Sequence, residues 1–402
     1  MALLTLAACS NEEVLQKNEV NQEIGFTAVT GKALTRAYDG FCNNAMPDAI
    51  TVSASYTDGG VTSQYFLNDI YDHGTGKDYT ANGQVRYWPD LTGGVKMRFY
   101  AAVNATPEWI GAADFSNMKV TDFTVDKTVS QHKDFIFATK EIEDKPTEGK
   151  LAINFRHALS QIVFKAKNEN KNIYVEIEGV SVCEVKNKGT FTFPTDNTDG
   201  NIEDTNHENK FDKPAATTGL GSWSLGATYE DAYAVTFTAV GLNANQTEAQ
   251  SLTYTNDSGK EFNGNTMYLM PQEFTAADVW NPAETPYKKP GATDGKAYFL
   301  VKAKIWNISS PSSSDNTYGG CNTSSDVVVW GKSGAANIAI PIPADTEWSQ
   351  GKKYVYTFTF TKTGEGGWDP DPDTPTHVLA PIKLSVTVDD FADETETPVT
   401  MN

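Results

Sequence analysis

Two stretches near the end of the chain, Tyr354-Val-Tyr-Thr-Phe-Thr-Phe360 and Ile382-Lys-Leu-Ser-Val-Thr-Val388, decide the fold class. In each stretch, aromatic or aliphatic side chains alternate with Thr, Ser or Lys. Because successive side chains of an extended strand point to opposite faces, this alternation gives one apolar face and one polar face. Both stretches therefore predict half-buried antiparallel β-strands.

Shorter runs with the same alternation recur along the chain, separated by Gly, Asn, Asp, Pro and Thr. They are 24–28, 97–101, 153–155, 162–166, 173–177 and 298–302. Helical periodicity is almost absent, while Thr, Val, Tyr and Phe, which favour strands, are frequent. The sequence predicts an all-β chain built from β-sandwiches.

The length of 402 residues is sufficient for two domains, each with its own core. The stretch from 195 to 222 is polar and rich in turn-forming residues, with almost nothing to bury. We therefore predict a linker or long loop at 196–222. It would separate an N-terminal β-sandwich domain (37–195) from a C-terminal one (223–402).

The formal charge of the chain is −20, from 32 basic and 52 acidic residues. Binding of nucleic acid or of an anionic lipid surface requires a basic patch, so this balance argues against both partners. An excess of acidic groups also keeps a surface protein soluble, and that explanation is sufficient.

The N-terminus combines a short apolar run, Leu6-Ala-Ala-Cys9, with the polar sequence Ser10-Asn-Glu-Glu13. This combination predicts a truncated lipoprotein signal at 1–9 with a lipid on the Cys9 thiol, which would tether the chain to a membrane outside the cytoplasm. Three other cysteines remain, Cys42, Cys183 and Cys321. An odd number at such wide spacing indicates neither a disulfide framework nor a metal site.

Three local patterns suggest chemistry, and each is incomplete. Trp330-Gly-Lys-Ser333 resembles the end of a phosphate-binding loop, but Asp326 stands where the loop requires Gly. The alternating aspartates of 369–373 are separated by Pro, and neither Gly nor a terminal Glu completes a calcium loop. The histidines do not occur at metal-ligand spacing, and we interpret His157 as structural. No cofactor and no metal is predicted.

Phe155-Arg-His-Ala-Leu-Ser-Gln-Ile-Val-Phe164 resembles the "F-x-H-A-L-S-x-I" strand of the fimbrillin-like lipoproteins of Bacteroides-type bacteria. Further matching pieces follow in the order of that family. They are Ile24-Gly-Phe26, Thr35-Arg-Ala37, Phe99-Tyr-Ala101, Asp134-Phe-Ile-Phe-Ala138, Gly189-Thr-Phe191, Leu269-Met-Pro-Gln272, 348–356 and 381–391. The resemblance covers nearly the whole chain. It implies two transthyretin-like antiparallel β-sandwich domains in tandem and a structural, adhesive subunit of type V pili, not an enzyme.

The resemblance also implies a maturation route. A lipid-anchored precursor would reach the outer membrane, where an Arg-specific surface protease would remove residues 10–36 by cutting between Arg36 and Ala37. Lys32 is the nearest competing site. The emptied groove would then accept a strand from another fimbrial subunit, so the chain would move from the outer membrane into a cell-surface fimbrium.

In this route, residues 24–29 would form a placeholder strand with Ile24, Phe26 and Ala28 facing the core. The leading donor candidate is 378–391. Its apolar row consists of Ile382, Leu384, Val386 and Val388. The acidic tail after Phe391 is a poor groove filler. Either the candidate strand leaves its own domain to act as donor, or the chain does not donate, as would suit a tip or accessory subunit.

Two other functions stay open from sequence alone. A monomeric outer-membrane lipoprotein could bind glycans through its sandwich loops, with Trp223, Trp306 or Trp368 exposed to stack on sugar rings. A secreted hydrolase would need two facing carboxylates in a cleft. The glycan binder would keep its N-terminal strand. The pilin would bury that strand in a groove and follow it with an exposed arginine loop. An adhesive subunit would also bind a host or bacterial surface ligand.

Overall fold

The structure, a computed structural model, describes a large part of the chain. The described residues are 22–29, 47–110, 115, 117–198, 219–253, 265–283, 294–308, 326–363, 366–370, 381–390 and 398–399. Within these ranges the elements are β-strands and one 3-10 turn, Val129–Gln131. The same ranges contain no helix long and apolar enough to cross a membrane. The prediction of an all-β chain is confirmed.

The strands are numbered in chain order. The first fourteen are β1 (Gly25–Val29), β2 (Ala49–Asp58), β3 (Val61–His73), β4 (Asp78–Asn82), β5 (Lys96–Val103), β6 (Glu108–Trp109), β7 (Met118–Thr124), β8 (Ile136–Ile142), β9 (Lys150–Asn154), β10 (Arg156–His157), β11 (Ser160–Asn168), β12 (Ile173–Cys183), β13 (Val185–Lys186) and β14 (Lys188–Thr192). The others are β15 (Ser222–Leu225), β16 (Tyr229–Glu230), β17 (Tyr233–Leu242), β18 (Gln246–Ser251), β19 (Met267–Leu269), β20 (Gln272–Phe274), β21 (Tyr298–Asn307), β22 (Val327–Trp330), β23 (Ala336–Pro341), β24 (Thr346–Trp348), β25 (Lys352–Phe360), β26 (Ile382–Asp390) and β27 (Pro398–Val399).

The largest sheet has eight strands in the order β10-β8-β5-β2-β3-β4-β1-β9. Only Phe155 separates β9 from β10, so the chain itself joins the two ends of the sheet. Alternate side chains of these strands form one apolar cluster, which we call the first core. Its largest members are Phe26, Phe66, Tyr71, Tyr79, Trp88, Phe99 and Phe155. The sheet therefore curves around a core, and β1 is an interior strand of it.

A second core lies between two other sheets. One sheet has the order β18-β11-β25-β26-β27, with β19 also paired to β11, and the other has the order β17-β12-β21-β22, with β23 also paired to β21. Phe299 of β21 meets Tyr356 and Phe358 of β25 across the core, with ring centroids 4.7 and 6.0 Å apart. These contacts show that the two sheets pack face to face as a β-sandwich.

The two cores share strands β5 and β8. On these strands the side chains that face the first core include Phe99, Ala101, Ile136 and Ala138. The intervening side chains Tyr100, Ala102 and Phe137 belong to the second core. Both faces of β5 and β8 are therefore buried, and one layer of backbone separates the cores.

The expectation of purely antiparallel sheets is wrong at two strand pairs. β1 runs parallel to β9, and β11 runs parallel to β25. The two strands of each pair are distant in sequence, so no hairpin fixes their relative direction. Alternation of side chains predicts which face of a strand is buried, but it carries no information on the direction of its neighbour.

The predicted domain edges at 195 and 223 divide strands that the structure pairs. β11 and β12 precede the predicted edge, yet they pair with β25 and β21. β14 also pairs with β15, so the strands that flank the predicted 196–222 segment are neighbours in one sheet. A polar, turn-rich composition identifies a loop and does not show which sheets its flanking strands join, so the domain edges stay a prediction.

Candidate functional site

The strand β1 lies between β4 and β9, in what we call the β1 groove. Phe26 is opposite Tyr79 of β4 on one side and Leu151 of β9 on the other. Backbone hydrogen bonds continue beyond the strand pairs. The N–H of Ile24 donates to Arg86 O at 2.8 Å, and the N–H of Ala28 donates to Lys77 O at 2.9 Å. Both edges of β1 are therefore hydrogen-bonded.

The apolar row of β1 fills the bottom of the groove. Ile24 is 2% exposed, and Phe26 and Ala28 are fully buried. The Phe26 ring lies 4.7 Å from Tyr71 and 5.6 Å from Phe99, both in edge-on geometry. Such pairs add about 0.5–1.5 kcal/mol each beyond the area that they bury. The predicted core-facing residues thus lie in the core, while their role as a placeholder stays a prediction.

The outward face of β1 carries a polar bridge over the strand. Thr27 Oγ1 donates to Asp78 Oδ1 at 2.7 Å, and Lys150 Nζ pairs with the other oxygen of the same carboxylate. Asp78 belongs to β4 and Lys150 to β9, so the bridge joins both walls across β1. The hydrogen bonds from Lys150 and Thr27 lower the pKa of the Asp78 carboxyl.

Gly149 closes one end of the groove. Its backbone has φ +76°, and a Cβ atom there would lie 2.8 Å from Gln22 Cγ and 2.9 Å from Glu23 O. Its carbonyl accepts hydrogen bonds from the N–H of Gly25 and from the indole of Trp88. Only glycine permits this approach of β1. Gly149 is not among the residues predicted from sequence, although a Pro146-x-x-Gly turn directly before a strand is a detectable signal.

The predicted processing sites lie outside the described residues. These sites are Cys9, Arg36 and Ala37, together with Lys32. β1 ends at Val29 and β2 begins at Ala49, and β3 and β4 lie between these two strands in the sheet. The predicted cleavage point therefore follows β1 directly in sequence.

The donor candidate β26 is part of the second core. It pairs with β25 from Ile382 to Asp390, along its whole length. Ile382 and Val386 are buried, and Leu384 and Val388 pack against the same core. On the opposite edge, only Val386 and Thr387 pair with β27 of the tail.

The family-like motif from Phe155 to Phe164 lies at the junction of the cores. His157 Nδ1 is 2.6 Å from Asp134 Oδ2, and both side chains are buried. Burial raises the pKa of the Asp134 carboxyl, and His157 offsets part of this effect. Arg156 donates two hydrogen bonds to Thr198 O, at 2.9 and 2.6 Å. The interpretation of His157 as a structural residue agrees with these contacts.

The next residues of the motif join this junction to the C-terminal part of the chain. The indole of Trp223 donates to Ala158 O at 2.7 Å. Ser160 Oγ donates to Ser349 O at 2.9 Å, and the N–H of Gly351 donates to Leu159 O at 2.9 Å. Two separate pieces of the resemblance, 155–164 and 348–356, therefore meet in space.

The other histidines and tryptophans with a described position have structural partners. His132 Nδ1 accepts the N–H of Tyr268 at 3.2 Å, so its proton is on Nε2, which donates to Asp126 O at 2.8 Å. Burial lowers the pKa of His132 to about 4, so the ring is neutral at pH 7. Trp306 is buried, and Trp223 and Trp368 pack against apolar clusters. The described residues contain no group of three or more metal-binding side chains.

A family model described as fimbrillin-like matches residues 35–388. The chain belongs to the fimbrillin-like family. A fimbrial protein from Bacteroides vulgatus has the same fold, with a TM-score of 0.51, 11% sequence identity, and coverage of 92% of this chain and 100% of that chain. A putative cell adhesion protein from Parabacteroides distasonis matches 92% of this fimbrillin-like chain and 98% of its own length, with a TM-score of 0.46 and 12% identity. A comparison with curated protein sequences finds no significant match.

Membership of the fimbrillin-like family establishes the general role of the chain. It is a fimbrial protein of the cell surface, and it is a structural protein rather than an enzyme. The predicted fimbrial class is therefore confirmed at this level.

Proposed function

We propose that the chain is a structural and adhesive subunit of a type V fimbria, and that β1 is its removable placeholder strand. The observation that carries the proposal is the position of β1 in the sheet order, between β4 and β9. When β1 leaves, β4 keeps its pairing with β3, and β9, whose partner in the sheet is β1, stays attached to β10 through Phe155. Loss of β1 would therefore open a groove between β4 and β9.

An open groove would strongly favour a new strand. Departure of β1 would leave unpaired N–H and C=O groups along β4 and β9, and such edges pair readily with another chain. It would also expose the pockets of Ile24, Phe26 and Ala28, which are closed by β1. Insertion of a strand from another fimbrial subunit would restore both the hydrogen bonds and the apolar contacts.

Within this proposal the N-terminal segment has three parts. Residues 1–9 are the signal that ends at the lipidated Cys9, which holds the precursor at the outer membrane. Residues 10–36 are removed by an Arg-specific surface protease that cuts between Arg36 and Ala37. The matured subunit then enters the fimbrium, where it binds its surface ligand.

We further propose that the two transthyretin-like β-sandwich domains are built around these two cores. The first core contains residues between Ile24 and Phe155, whereas the second is lined by the strands from β11 onward and by β7, which pairs with β14. The shared strands β5 and β8 make the division one of cores rather than of separate sheets.

Limited digestion of the purified, unlipidated chain with an Arg-specific protease tests the proposal. We expect one early cut after Arg36, identified by N-terminal sequencing, and none in the Arg36→Ala variant. Lys32→Ala is the matched control and should be cut as fast as the unchanged chain. SDS-resistant ladders after the cut would support strand exchange. A stable chain that is never cut at Arg36 would contradict the proposed maturation.

A further inference from the structure

The β1 groove has three pockets of different size, and their sizes indicate which strand can occupy it. The pockets hold a large aliphatic side chain (Ile24), an aromatic ring (Phe26) and a small side chain (Ala28). All three side chains are buried within the first core. A replacing strand in the same register must therefore provide the same three sizes, because buried pockets tolerate neither voids nor added volume.

The middle pocket requires a ring. Phe26 contacts Tyr71 and Phe99 in edge-on geometry, and Phe99 in turn lies 5.6 Å from Trp88. An aliphatic side chain in this place would lose the edge-on contacts and leave part of the pocket empty.

The third pocket excludes the chain's own donor candidate. If Ile382 occupied the first pocket, Val386 would lie where Ala28 lies. If Leu384 occupied the first pocket, Val388 would occupy the third. If instead Ile382 moved to the second pocket, Leu384 would occupy the third. Every register that fills all three pockets with apolar side chains from β26 therefore overfills the third pocket and places no ring in the second.

The outward face of the groove does not discriminate between strands. Asp78 accepts the Thr27 hydroxyl, and in the first two registers Ser385 or Thr387 of β26 would provide the same group. Selection therefore depends on the buried row alone. In addition, β26 is paired along its length with β25 and buries Ile382 and Val386, so its departure would open the second core.

We propose that the occupant of the β1 groove is a strand of a different fimbrial subunit, with a large aliphatic, an aromatic and a small side chain at alternate positions. The donor candidate β26 of a second copy does not provide it. Ile162, Phe164 and Ala166 do have these sizes, but they belong to β11, which is buried in the second core between β18 and β25. The inference rests on the proposed function, since it requires that β1 be replaced. The partner would be a different protein, so the contact at the β1 groove would join two unlike subunits.

Peptide exchange into the full chain tests the inference. A specific protease site is introduced within residues 30–46, the chain is cut there, and a labelled peptide of residues 22–30 is added in mild denaturant. Unlabelled peptides then compete for the groove: the unchanged sequence, Phe26→Val, Ala28→Val, the control Thr27→Val on the outward face, and a peptide of residues 380–390.

We expect Phe26→Val and Ala28→Val each to compete about tenfold or more weakly, and the 380–390 peptide at least as weakly as either. Thr27→Val should change competition by only about threefold, because it alters one partly buried hydrogen bond on the outward face. Competition by the 380–390 peptide equal to that of the unchanged peptide would overturn the inference and leave the removable strand intact. Failure of the labelled 22–30 peptide itself to enter would overturn the removable strand, and the inference with it.

Discussion

β1 and β26 carry similar apolar rows, but the fold holds them in different ways. β1 has five residues and is hydrogen-bonded along both edges. β26 has nine residues, is paired along one edge with β25, and meets β27 at only two residues on the other. Without β1, β4 keeps its pairing with β3 and β9 stays attached to β10 through Phe155, whereas β26 covers the second core. The comparison shows that the position of a strand in its sheet, and not its apolar pattern, determines whether another strand can replace it.

The largest expected effect is loss of the ring that anchors β1. Phe26→Ala should lower the free energy of unfolding of the first core by about 3–5 kcal/mol, because the cavity opens among Tyr71 and Phe99. Amide hydrogen exchange should show lost protection in β4 and β9 and unchanged protection in β25. An equal loss of protection in β25 would show that β1 and β26 do not depend on separate cores for their stability.

The matching change in β26 is Ile382→Ala. Ile382 is 1% exposed in the second core, so its truncation should cost about 2–5 kcal/mol in denaturant unfolding. Protection should fall in β25 and stay the same in β4. A cost within about 0.5 kcal/mol, which is usual for exposed positions, would mean that β26 is detached in solution and available as a donor.

A substitution at the junction between the cores should have a smaller effect on stability, and this effect should concern both cores. His157→Phe leaves the Asp134 carboxyl buried without its ring partner and should cost about 1–3 kcal/mol. Removal of both partners, in His157→Phe with Asp134→Leu, should recover most of this loss. A double-mutant cycle that is additive would contradict a direct interaction between the two side chains.

The smallest effect concerns the polar bridge over β1. The folded state lowers the pKa of Asp78, so the bridge contributes fully above the unfolded pKa near 4 and is lost as the pH falls through the folded value. Because the pair is partly exposed, the contribution is about 0.2–1 kcal/mol. The release rate of β1 from the cut chain should rise below about pH 4. Asp78→Asn should remove this pH dependence, and a dependence that persists in the variant would assign it to another group.

The sequence predicted well what alternation encodes. The runs around Phe26 and Val386 are strands whose apolar rows face a core, although Leu384 and Val388 are only half-buried. Val327–Trp330 is a strand followed by a turn in which the N–H of Gly334 donates to Gly331 O at 3.2 Å. Alternation could not predict the parallel pairs or the division between the cores, because both depend on which distant strands meet. The two-sided burial of β5 did have a signal, since Phe99-Tyr-Ala-Ala-Val103 is an unbroken apolar run.

The two walls of the β1 groove also have a mechanical consequence. β4 runs antiparallel and β9 parallel to the strand between them, and both bind it through its backbone. A pull along the axis of that strand stretches both rows of hydrogen bonds at once in shear, whereas a sideways pull would open them one after another. In a fibre assembled through this groove, tension along the fibre would therefore be shared by the whole strand, and bending would be the motion that peels subunits apart.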